Sequence, residues 1–234
     1  MKVTTVGIGM PRDFPTRVYN DISARVGPLQ PRYADAYRHY AGAWNALAIR
    51  FRSAAYADTA FRRELARTQT VLGRNREEEA LFRFFGCLQS SLDSLGYGLH
   101  AIANIANATS FGLTAPELRA ATPTNVATAL SKAFPNEPIG PTLRSMLDEP
   151  TAVEIHELRN ALTHRTATTR SIELSTLPYS GSSSRWQIDH LQLKTGLRAL
   201  TIDAKATAHY RLWLAKKLQA LLSAGLVFTK CLPP

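Results

Sequence analysis

Cysteine is scarce in these 234 residues, with Cys87 and Cys231 standing far apart. Two distant thiols supply neither a disulfide framework nor a four-ligand metal site, so a reducing cytoplasm is the expected compartment. Long apolar runs are lacking too. No stretch approaches the roughly eighteen apolar residues of a membrane span, and MKVTTVGIGMPRDFP has one lysine and an apolar run too short and interrupted for a signal peptide. A membrane partner is therefore not expected. Nor does a Gly-rich phosphate loop, a nucleophile elbow or a paired-carboxylate motif stand out, which turns the reading away from an ATPase, an elbow-type hydrolase or a glycosidase. Negative charge is also short: 18 acidic residues face 28 basic ones, for a formal net charge of +10.

Among the basic residues arginine outnumbers lysine about three to one. The planar guanidinium pairs with phosphate through two hydrogen bonds, so this bias suits a nucleic-acid partner. GC-rich coding produces the same bias with no ligand involved. A hydrophobic share of 45% is ordinary for one globular domain, enough to bury a core without staples.

The pattern along the chain predicts helices. Residues 1–30 carry Pro11, Pro15 and Pro28, with Pro31 just beyond, and show no sustained period, which suggests an N-terminal arm packed on a single domain over 31–234. Tyr33, Tyr37, Tyr40, Trp44, Leu47 and Phe51 step by four and three, an apolar seam on a helix running to about Thr68. The stripe suits core packing better than a cofactor box. After the expected turn at VLGRN, Leu81, Phe85, Leu88, Leu92, Leu95, Leu99 and Ile102 repeat the stepping, so two long helices form an antiparallel hairpin. Six prolines then break the regularity over 109–150 into an excursion of short helical candidates. Thr151 and Glu154 have the T-x-x-E spacing of a capping box and mark the next helix start. RSIELSTLPYS and RWQIDHLQL alternate around the tip SGSSS, predicting a β-hairpin at about 170–192 with a mobile tip. A last helix is expected from about Gly196 to Ala224. The fold class is thus all-α, with a Pro-rich excursion and a small β-hairpin insertion.

The stretch ELRNALTHR, residues 157–165, carries the chemistry. At about 100° per residue, Ile155, Leu158 and Leu162 form a narrow apolar stripe, while His156, Glu157, Asn160, Thr163 and His164 share one polar arc with Arg159 at its border. Cleaving RNA without a metal needs a base for the 2′-hydroxyl proton, an acid for the leaving 5′-oxygen and a cation for the phosphate. Histidine exchanges protons near neutrality, arginine stays charged, and a neutral amide can hold either one's ligand without competing for the proton.

RNALTH, residues 159–164, resembles the Arg-polar-x-x-x-His form of the motif of the HEPN superfamily, helical proteins common among prokaryotic toxins and phage-defence factors. The resemblance implies a HEPN-like helical bundle and a homodimer that brings two motifs into one cleft. It also implies metal-independent endoribonuclease activity on RNA, with no cofactor and with an antitoxin protein as a possible partner. Arg159 and His164 take the catalytic positions and Asn160 the polar one. Two other Arg/His pairs fit the spacing, Arg32 with His39 on the aromatic helix and Arg185 with His190 on a predicted strand, but neither has the asparagine. The family also contains non-catalytic modules, so a nucleotide-, RNA- or partner-binding role is the alternative.

HEPN proteins often set an acidic or polar residue of an earlier helix against the site, and Asp93, on a ridge with Gln89, Tyr97, His100 and Asn104, is that candidate for orienting Arg159 or His164; Arg165, next to the histidine, is the other supporting residue. A solvated ridge is the alternative for Asp93, and packing the expected role of His100. HELRN, from His156, fails as a zinc motif because Asn160 stands where the second ligand belongs, and His156 and His164 lie about 12 Å apart along the helix axis. Arg62, Arg63, Arg67, Arg74 and Arg76 crowd the end of the first long helix and the turn, either tracking an RNA backbone or solvating a helix end beside Glu77, Glu78 and Glu79.

Overall fold

The computed structural model describes residues 9–67, 70–164, 169–173, 183–193 and 196–234. The chain is mostly helical, with eight α-helices and one small antiparallel sheet among those residues. The aromatic seam explains the first long helix, α2 (Ala34–Leu65): Tyr37, Tyr40, Trp44, Leu47 and Phe51 are all buried on one side of it. The second seam does the same for α3 (Val71–Ala106), where Leu81, Phe85, Leu88, Leu92, Leu95, Leu99 and Ile102 are buried. The turn between the two helices falls earlier than expected, because α3 already includes VLGRN. Thr70 Oγ1 accepts from the Gly73 backbone N–H at 3.0 Å, so a hydroxyl caps the helix ahead of the glycine that suggested a break.

The chain divides into two compact units, and α2, α3 and α8 (Ala204–Phe228) contribute residues to both. The first unit holds residues 1–52, 90–149 and 214–234. Here the expected arm contains a helix, α1 (Thr16–Val26), which buries Tyr19, Ile22 and Val26. Tyr19 stacks on Trp44 and its hydroxyl donates to the Trp44 carbonyl at 2.9 Å, so an aromatic pair ties α1 to α2. A helix this short lacks room for a long period, and its flanking prolines masked it. The excursion resolves into α4 (Ala115–Ala120), α5 (Pro123–Ala133) and α6 (Ile139–Leu147). Thr114 and Glu117 form a capping box on α4, and Thr122 caps α5, with a proline just inside each helix. At Gly140 an added Cβ would stand 2.6 Å from the Ser131 backbone nitrogen, so glycine permits the close approach of α6 to α5.

The second unit holds residues 53–89 and 150–213. It contains α7 (Pro150–His164) and strands β1 (Thr169–Glu173), β2 (Ser183–Leu193) and β3 (Gly196–Ile202) in the order β1-β2-β3. The predicted hairpin is β1–β2, with Arg170 opposite Trp186; residues 174–182, which include the first three of the expected tip SGSSS, lie outside the described residues, and the tip's last two serines belong to β2. The third strand corrects the expectation of a helix from Gly196. Leu200 and Ile202 are buried while Ala199 and Thr201 are exposed, a period of two inside a Leu/Ala-rich run. The last helix starts eight residues later, where Asp203 Oδ1 accepts from the backbone N–H groups of Lys205 and Ala206 at 2.9 and 2.8 Å.

Two buried polar clusters fasten this unit. Asp58 is fully buried on α2 and receives Arg62 Nε and Nη2, both at 2.8 Å, and Arg211 Nη1 from α8 at 2.8 Å. Trp186 of β2, also fully buried, donates its indole N–H to Glu77 Oε2 on α3 at 2.9 Å. Glu77 is thus an interior carboxylate, although it stands in a run of three glutamates that reads as solvated.

Candidate functional site

α7 begins at Pro150, a residue suited to the first helical position because its missing N–H would have no partner there. Thr151, the cap the sequence suggests, is therefore the second residue inside the helix and not its cap. The Glu154 carboxylate receives the Tyr210 hydroxyl from α8 at 3.0 Å, and the Tyr210 ring packs edge-on against Phe85 of α3. One side of α7 buries Ala152, Ile155, Leu158 and Ala161. Leu162, expected in this stripe, is half-buried. With the apolar side held inward, the polar arc is left to solvent.

Three side chains of that arc form a hydrogen-bonded chain. Arg159 Nη1 donates to Asn160 Oδ1 at 2.9 Å, and Asn160 Nδ2 lies 3.0 Å from His156 Nε2. Arginine can only donate, so it fixes which end of the amide faces it; the amide nitrogen then faces His156 and must donate there. His156 Nε2 accordingly accepts, which puts the ring's single proton on Nδ1. His156 is exposed while Arg159 and Asn160 are half-buried, so the chain runs from the edge of the packed side out to solvent. Thr163 is occupied otherwise, its hydroxyl donating to the Arg159 carbonyl at 2.7 Å.

The expected residues are placed unequally. Arg159 and Asn160 are joined directly. His164 is the last residue of α7; its side chain lies outside the described part of the structure, as does the whole of Arg165. Asp93 is exposed on α3 in the first unit, whereas α7 belongs to the second. There Asp93 lines a groove of about 410 Å³ with Arg38, His39, Arg50, Ser94 and Tyr97. Three other members of its ridge, Tyr97, His100 and Asn104, have structural duties. His100 Nε2 lies 2.8 Å from the Gly112 carbonyl, and Asn104 donates to the Phe111 carbonyl, so both hold the turn after α3. Tyr97 pairs with His39 Nδ1 at 2.9 Å, and burial pushes its hydroxyl pKa upward.

His156 is the residue that sequence reasoning placed on the polar arc but weighed only as a zinc ligand, not as a partner of Asn160. Its signal was available, since His156 and Asn160 have the same four-residue spacing as Asn160 and His164. Among the described residues no group of three His, Cys, Asp or Glu side chains is arranged to hold a metal ion, and no helix is long and apolar enough to cross a membrane. No protein-family model, curated protein or solved structure matches this chain. A functional reading therefore has to come from the chemistry of the arc itself: a guanidinium pinned at the border of an exposed helix face, an amide locked in one orientation, and an imidazole of defined tautomer.

Proposed function

We propose that this protein is a HEPN-type, metal-independent endoribonuclease that works in the cytoplasm as a toxin or phage-defence effector. The observation that carries the reading is the bond from Arg159 to Asn160, which holds a phosphate-binding cation on the helix face that also carries the histidines. One N–H of the guanidinium is used on the amide, and the others remain to grip a phosphate through two parallel hydrogen bonds. His164 follows Asn160 by one helical turn and takes the proton-transfer role.

The reaction needs no external nucleophile. A base removes the 2′-hydroxyl proton, the 2′-oxygen attacks the adjacent phosphorus, the bond from phosphorus to the 5′-oxygen breaks, and an acid returns a proton to that oxygen. Arg159 stabilises the charge that accumulates on the non-bridging oxygens. Since base and acid act on opposite sides of the phosphorus, a homodimer supplying His164 from each copy meets both demands. His156, about 12 Å along the axis from His164, is too far to share one phosphate with it; its part is to orient Asn160. An enzyme of this kind inside its own host requires restraint, and an antitoxin protein is the natural partner.

The completeness of the Arg159–Asn160–His156 chain favours one other reading, in which the arc binds a nucleotide, RNA or protein partner without cutting anything. Incubation in EDTA with an oligoribonucleotide and with its fully 2′-O-methylated counterpart separates the two. The nuclease cuts the first and leaves the second whole. Binding of both with cleavage of neither establishes the module.

A further inference from the structure

The second unit carries another groove, about 300 Å³ in volume, between the end of α2 and the beginning of α3. α2 supplies Tyr56, Arg63 and Glu64, and α3 supplies Arg76, Glu79 and Arg83, with alanines from both helices in the lining. The positions follow from helical spacing. Tyr56 and Arg63 are seven residues apart on α2, as are Arg76 and Arg83 on α3, so each pair shares one face at about 10.5 Å of rise.

The charges in the groove are not equivalent. Glu64 is buried and already bound by two guanidiniums, Arg63 Nε at 3.2 Å and Arg67 Nη1 at 3.0 Å. Arg76 and Arg83 are exposed and make no ion pair or hydrogen bond among the described residues, even though Glu79 stands one turn from each of them. Tyr56 is 59% exposed, an unusual position for an aromatic ring beside a floor of small side chains. Guanidiniums that form no ion pair, next to an uncovered ring, are the two elements that bind a single-stranded nucleic acid: cations for the backbone and a flat surface for a base.

We infer that this groove binds single-stranded RNA, with Arg76 and Arg83 on phosphates and a base stacked on Tyr56. The inference rests on the ribonuclease reading for the identity of its ligand and names the strand that the enzyme receives. It also divides the arginine cluster. Arg62 is committed to Asp58 and Arg67 to Glu64, so only part of the cluster can serve a ligand.

The test uses the full chain and a fluorescein-labelled, 2′-O-methylated oligouridylate, which lacks the nucleophile and reports binding alone by anisotropy. Arg76→Ala with Arg83→Ala should weaken binding at least about tenfold and lower the salt slope by about 1.4, at about 0.7 for each phosphate contact on a single strand. Tyr56→Ala should weaken binding by about fivefold or more, with Tyr56→Phe retaining the parent's affinity, since stacking needs the ring and not the hydroxyl. Parent-like affinity and salt slope in the double arginine variant would overturn the inference, as would absence of probe binding by the parent at about 0.1 M salt. The nuclease reading is read separately, by cleavage of the unmodified strand. Groove variants that lose the probe while no protein cuts RNA support the groove and reject the nuclease; groove variants that bind and cut like the parent do the reverse.

Discussion

The Asn160 side-chain nitrogen lies 3.0 Å from His156 Nε2, with its orientation set from behind by Arg159. The amide can satisfy both neighbours in only one orientation, because the guanidinium cannot accept and the imidazole nitrogen facing it must. Asn160 thus couples a half-buried cation to an exposed ring on the same helix.

Removal of the amide tests that coupling. Asn160→Ala releases Arg159 to several rotamers, and a misplaced phosphate clamp is expected to slow RNA cleavage by about 10²-fold. Folding should hardly change, because the residue is half-exposed and its loss costs about 0.5 kcal/mol, near 1–2 °C in melting temperature for a chain of this size. Cleavage assays beside thermal unfolding check both halves of the expectation.

Asp58 predicts the opposite pattern, with a large effect on stability. Its carboxylate is buried and held by Arg62 and Arg211, so Asp58→Ala leaves two cations facing an apolar methyl group. Both arginines retain some access to water, which sets the expected loss near the lower end of the range for a broken buried ion pair, about 3 kcal/mol. A fall in the urea midpoint with an unchanged slope is the signature. A loss below about 1 kcal/mol would mean that the cluster behaves as an ordinary surface pair.

The indole of Trp186 can be tested in the same way. Trp186→Phe keeps an aromatic ring in place but removes the donor to Glu77, and a hydrogen bond to a charged group contributes about 1.5–3 kcal/mol. Pairing the substitution with Glu77→Gln in a double-mutant cycle isolates the contact, with a coupling energy above about 0.5 kcal/mol expected for groups in direct contact.

How much of this was legible in the sequence depended on the range of the forces involved. The seams of α2 and α3 were readable because a buried helix face repeats over many turns, and Tyr37 through Phe51 hold to it without interruption. β3 escaped because Leu, Arg and Ala favour helices, while the decisive alternation of Leu200 and Ile202 spans only a few residues. Asp203, a strong cap just before the Ala-rich run, was the local sign of where the helix starts. Glu77 could not have been found this way, since its burial depends on an indole 109 residues away in the chain. In the arc, composition and spacing singled out Arg159 and Asn160, and the structure joins the two by a hydrogen bond. Spacing paired Asn160 with His164, one turn later; His156 stands one turn earlier, and the structure joins Asn160 to it.

Whether the face of α7 cuts RNA is decided by the turnover of a labelled oligoribonucleotide in EDTA by the parent, Arg159→Ala and His164→Ala proteins. Cleavage by the parent is expected, with a fall of at least about 10³-fold in each variant and with helicity and oligomer mass unchanged. Cleavage by the His164→Ala protein at the parent's rate would contradict the ribonuclease reading.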